Sequence, residues 1–94
     1  MPEAVIRLDK FLWCARIVKT RTIARKMIEH GVVRLNRVRI VKPGHDIRIG
    51  DILTFVWSER LHVWRVKALP KRRGPAAEAR LLYDELGERS GDFP

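Results

Sequence analysis

The stretch KTRTIARKMIEHGVVRLN, residues 19–36, decides how this chain is read. Ala24, Met27 and Ile28 recur at the spacing that places side chains on one helical face, and Thr20 and Gly31 bracket them. A threonine hydroxyl can accept from an unpaired N–H two or three residues on, and glycine takes the left-handed conformation that ends a helix. The helix predicted between these signals packs along one side. Its other side carries Arg21, Arg25 and Lys26, preceded by Arg16 and Lys19, with Thr22 and Glu29 beside them. Cations gathered at a helix start, where free N–H groups and the dipole already favour anions, form a phosphate-binding ridge. Arginine adds a planar fork matched to phosphate oxygens, and lysine adds a mobile point charge.

Outward from this stretch, RLDKFLWCARIV (residues 7–18) repeats Leu8, Phe11, Leu12 and Ala15 at helical spacing and predicts a first helix. Beyond Gly31 the pattern becomes β-branched: VVRL and VRIV flank an Asn36-Arg37 corner, a tight hairpin in which Asn36 tolerates positive φ. KPGHD and Gly50-Asp51 read as turns, with Ile47 and Ile49 alternating between them. The strand ILTFVW then leads through Ser58 to Arg60 into LHVWRVKAL, a second hairpin. Pro70 to Gly74 is a basic connection rich in breakers. After it Pro75 suits the first turn of a helix striped by Ala79, Leu82, Tyr83 and Leu86, with Gly87 past its end. The fold class expected is α+β: two packed helices, a small mostly antiparallel sheet and a C-terminal helix. Residues 5–69 form the main unit, 70–87 the connection and helix, and 88–94 a loose tail.

Ninety-four residues, 46% hydrophobic and 33% charged, suit one globular domain. The net charge of +9 and pI near 10.8 point to a polyanionic partner, nucleic acid first. That charge is uneven: through Gly50 twelve Lys or Arg stand against four acids, and from Asp51 onward eight stand against seven. Cys14 is the only cysteine, which excludes an internal disulfide, and it reads as a small packed side chain. The longest apolar run, Phe11 to Ala15, is too short to cross a membrane, and no secretory signal opens the chain, so a cytoplasmic location is expected. His30, His45 and His62 lack ligand-like spacing, and no nucleophile, acid–base pair or phosphate loop is recognisable. No metal, cofactor or catalytic residue is expected. Trp13, Trp57 and Trp64 read as packing rather than as base-stacking platforms.

The Arg-Leu-Asp opening, the Thr-Arg-Thr helix start, the Ala and Ile stripe, Gly31, Asn36 and Gly50-Asp51 together resemble the S-four RNA-binding domain family, from Arg7 to about Phe55. Two longer segments, RLDKFLWCARIVKTRTIARKMIE and RRGPAAEARLLYDEL, are similar to a ribosome-associated heat-shock branch of bacterial proteins. The resemblance implies an αL motif that presents a basic face to structured RNA. It further implies a non-enzymatic role on ribosomal RNA of the large ribosomal subunit, in rescue of stalled subunits that carry nascent chain-tRNA, with tRNA itself as a second candidate partner. The chain is expected to be monomeric when free. Carried over by position, the RNA-binding candidates are Arg7, Lys10, Arg16, Lys19, Thr20, Arg21, Arg25, Lys26 and Asn36, joined by Arg37, which stands where the family usually has glycine. The alternative is the RNA-guiding part of an RNA-modifying enzyme such as a pseudouridine synthase.

Overall fold

The computed structural model describes residues 4–90, with the backbone alone for 88–90. It is an α+β fold in which helices α1 (Leu8–Cys14) and α2 (Arg21–Glu29) pack together on a five-stranded sheet. The strands are β2 (Val33–Leu35), β3 (Val38–Ile40), β5 (Ile52–Trp57), β6 (Arg60–Val66) and β7 (Tyr83–Ser90), all antiparallel in the order β3-β2-β5-β6-β7. A second, two-stranded sheet pairs β1 (Ile6–Arg7) with β4 (Asp46–Ile47).

Each element has a local cause. The Thr20 hydroxyl accepts from the Ile23 N–H at 3.1 Å and caps α2; at the other end Gly31, φ 78°, donates its N–H to the Ile28 carbonyl. Leu8, Phe11 and Leu12 from α1, with Ala15 at its C-terminal end, meet Ala24, Met27 and Ile28 from α2 in one buried cluster, closed below by Val33, Leu35, Leu53, Phe55 and Trp64. A fully buried side chain of this size contributes about 1.5–3 kcal/mol, so the stripe read in the sequence holds the helices in place.

Both hairpins turn on two residues with positive φ: Asn36 (49°) and Arg37 (76°) between β2 and β3, Ser58 (51°) and Glu59 (60°) between β5 and β6. Such turns match the right-handed twist of the flanking strands. The Asn36 side chain also staples the first corner to β5. Its Nδ2 donates to Asp51 Oδ1 at 3.1 Å, and its Oδ1 accepts from the Ile52 N–H at 2.9 Å.

The C-terminal helix is shorter than the sequence pattern predicts. It spans Ala76–Ala79 and one 3-10 turn, Arg80–Leu82, after which the chain straightens into β7. Ala79 and Leu82 are buried as expected, but Tyr83 lies in a strand and stacks on Trp64, with ring centroids 3.4 Å apart, while Leu86 is exposed. The free edge of β6 explains the change: its unpaired N–H and C=O groups bind the next segment more strongly than a four-residue helical stripe can. Strand β7 also takes in residues 88–90 of the expected loose tail; residues 91–94 lie outside the described part. Of the β1–β4 pair the sequence pattern marks only the alternating Ile47; its pairing with Ile6 carries no local signal.

Arg37 holds the left-handed conformation without glycine's freedom from a Cβ. We expect Arg37→Gly to raise stability by about 0.5–1 kcal/mol, read as a higher denaturation midpoint at unchanged slope.

Candidate nucleic-acid interface

The α2 stripe buries Ala24, Met27 and Ile28, so its rotation leaves Arg21, Arg25 and Lys26 in solvent, with Lys19 exposed just before the helix. No acid stands in the first turn of α2, so its free N–H groups are left to attract an anion. Lys10, Lys19, Arg25, Lys26 and Arg37 have no ion-pair partner among the described residues.

Arg7 and Arg21 are held differently. Both reach Asp9, a carboxylate only 1% exposed in the first turn of α1. Arg7 grips it with two bonds, Nε to Oδ1 at 3.1 Å and Nη2 to Oδ2 at 3.0 Å, while Arg21 Nη2 donates to Oδ1 at 3.3 Å. The Lys10 backbone N–H supplies a further donor at 2.8 Å. One negative charge thus orients two guanidinium groups that stay about half exposed, and the cluster keeps net positive charge. Burial works to raise the Asp9 pKa, but the Arg7 hydrogen bonds and charge, the Lys10 N–H and the Arg21 charge together outweigh it, and the carboxyl lies below its ordinary value. Arg7 is raised in turn, chiefly by its hydrogen bond to Asp9. Its guanidinium also lies against Gly44, where an added Cβ would come within 3.4 Å of Cζ.

Cys14 is buried beneath this cluster. Burial pushes its thiol pKa up, and Lys10, Arg21 and Arg73 are near enough to pull it the other way. Arg73, in the basic KRRG segment whose pattern suggests a phosphate contact or a solvated linker, is instead turned back onto the helices. Its Nε donates to the Trp13 carbonyl at 3.0 Å, its Nη2 reaches the Val18 carbonyl at 3.4 Å, and its guanidinium sits 5.7 Å over the Trp13 ring. Arg16, at φ 63°, returns the contact by donating Nε to the Gly74 carbonyl at 2.9 Å. Long-range packing places these two arginines, so local pattern held no sign of the exchange.

The candidates therefore divide. Arg7 and Arg21 converge on Asp9, Lys10 lends that carboxylate its backbone N–H and sits near enough to act on Cys14, Arg25 and Lys26 extend the α2 face, and Lys19 precedes it. Arg16 braces the corner between the helices, and the Thr20 oxygen serves as the α2 cap. Asn36 has its amide committed to Asp51 and Ile52, and Arg37 projects from the hairpin tip; neither touches the Asp9 cluster among the described residues. No group of three or more metal-ligating side chains occurs among the described residues, nor any helix long and apolar enough to cross a membrane.

The S4 domain family matches residues 6–53. Heat shock protein 15 of Escherichia coli (strain K12) is 44% identical over 87 residues, 93% of this chain and 65% of that protein; this chain thus spans slightly under two thirds of that relative's length. The RQC P-site tRNA stabilizing factor of Bacillus subtilis (strain 168) is 34% identical over 83 residues, 88% of this chain and 94% of that one. Among solved structures, the trimeric structure of Vibrio cholerae Heat Shock Protein 15 superposes with a TM-score of 0.82 at 38% identity, covering 87% of this chain and 82% of that one.

Loss of the Asp9 charge tests the cluster. We expect Asp9→Asn to destabilise the fold by about 1–3 kcal/mol at neutral pH, since buried charge-assisted bonds to Arg7 and Arg21 weaken. The contribution of a carboxyl with lowered folded pKa is complete above the unfolded value of roughly 3.9 and disappears as pH falls through the folded value. Thermal melts of parent and variant should therefore differ at pH 7 and converge in strong acid.

Proposed function

The chain belongs to the S4 domain family, and from that premise we propose that it is a non-enzymatic RNA-binding protein that grips structured ribosomal RNA of the large ribosomal subunit. The observation that supports this best is the two-sided α2: one face locked into the core by Ala24, Met27 and Ile28, the other presenting Arg21, Arg25 and Lys26 beside the Asp9-ordered Arg7. A rigid cationic face suits A-form RNA, whose accessible surface is phosphate and 2′-hydroxyl rather than major-groove base edges. Backbone contact at such a surface recognises shape.

The finer role is rescue of stalled large subunits that still hold nascent chain-tRNA. Likeness to Escherichia coli heat shock protein 15 and to the Bacillus subtilis P-site tRNA stabilizing factor supports it. tRNA is then a second RNA within reach of the same cations. We take the free chain as a monomer acting in the cytoplasm, and sedimentation tests the first point against the trimeric Vibrio cholerae relative.

The deciding experiment is sucrose-gradient fractionation of cell extract. The parent should co-migrate with large subunits, and Arg21→Glu with Arg25→Glu should leave them while its circular dichroism stays native; co-migration of both would move the site elsewhere. In purified form, if six to ten phosphates are contacted, affinity for ribosomal RNA should fall about a thousandfold or more between roughly 50 and 200 mM salt.

A further inference from the structure

Alternation along β2 sends Val33 and Leu35 into the core and Arg34 to the opposite face of the sheet. Its register partner on β3 is Arg39, and on its other side stands Thr54 of β5. Two like charges directly opposite one another destabilise a strand pair. Neither arginine has an ion-pair partner among the described residues. Arg39 is also set in place: its side chain runs along Gly31, where an added Cβ would stand 3.2 Å from its Cδ.

This arginine pair lines a recess of about 480 Å³ whose floor includes Val32, Val56 and Leu61. Val32 and Val56 also line a second recess of about 340 Å³, walled by Ile23, Met27 and Trp57. Lys26, one of the ridge cations, belongs to that second wall. The two recesses are therefore neighbours that share a wall, and together they lead from the α2 ridge past the α2 terminus to the outer sheet face. The path is apolar in the middle and cationic at both ends, with no carboxylate in its lining among the described residues.

We propose that this groove holds a single-stranded stretch of the RNA whose structured part lies on the α2 ridge, its bases on Val32, Val56 and Trp57 and its phosphates against Lys26, Arg34 and Arg39. The inference rests on the RNA-binding reading of the ridge. Two features select an unpaired strand: paired bases turn their apolar faces inward and cannot meet such a floor, whereas splayed bases stack on apolar and aromatic side chains while cations track the backbone. The shared Lys26 makes groove and ridge continuous.

The test uses the full chain and two probes, a blunt RNA hairpin and the same hairpin with a single-stranded oligouridine extension at either end. The extension should tighten binding about tenfold or more. It should also steepen the log–log salt dependence by about 1.4, the share of the two single-strand phosphates at Arg34 and Arg39, since Lys26 already counts with the ridge. Arg34→Gln with Arg39→Gln should lose both gains, bind the blunt hairpin as the parent does, and melt at or above the parent temperature because the like-charge pair is gone. An extension that adds nothing to the parent, a gain that survives in the variant, or displacement of the extension by oligoglutamate at equal concentration would overturn the groove. The ridge is judged separately: if Arg21→Glu with Arg25→Glu leaves the blunt hairpin bound, the ridge reading fails whatever the extension does.

Discussion

A single buried carboxylate with two arginine partners organises this molecule. Asp9 sits at the start of α1, and the arginines it holds come from the strand before that helix and from the first residue of α2. Removing such an anion from water is unfavourable unless donors surround it, and Arg7, Arg21 and the Lys10 N–H do so. In the same contact two flexible side chains lose freedom before any ligand arrives. The donors that Asp9 leaves unused, Arg7 Nη1 and the remaining Arg21 N–H groups, are then available to phosphate at a smaller entropic penalty on binding.

The second constraint is the division of α2 into a packed face and a wet one. Because Ala24 and Ile28 are fully enclosed, the helix cannot roll without opening the core, and the angle of Arg25 and Lys26 is set by apolar contacts on the far side. Packing thus does for these two cations what Asp9 does for Arg7 and Arg21. The candidate interface combines an electrostatic means of placement with a steric one.

How much could be read in the sequence depends on how local each cause is. The Thr20 cap, the Gly31 stop, the two helical stripes and both hairpin corners depend on neighbours within a few residues, and each stands where the pattern put it. Strand β7 depended on the edge of β6, so the helical spacing of Ala79, Leu82, Tyr83 and Leu86 misled beyond Leu82. The Arg7–Asp9 pair is local, two residues apart. The second partner, Arg21, lies twelve residues away, and Arg73 reaches back sixty, beyond what periodicity reports. Asn36 shows a subtler limit: its position was legible, but its amide ties one corner of the sheet to another.

The exchange between Arg16 and Gly74, and between Arg73 and the carbonyls of Trp13 and Val18, bears on descent. The bend that aims Lys19 and the α2 start is buttressed from residues 73–74, twenty positions past the end of the S4 match at residue 53. Homologues that share the signature but carry a different segment after it can keep every cation and still point them along another axis. Divergence in that downstream segment would then re-aim the candidate RNA-binding cations with no substitution among them.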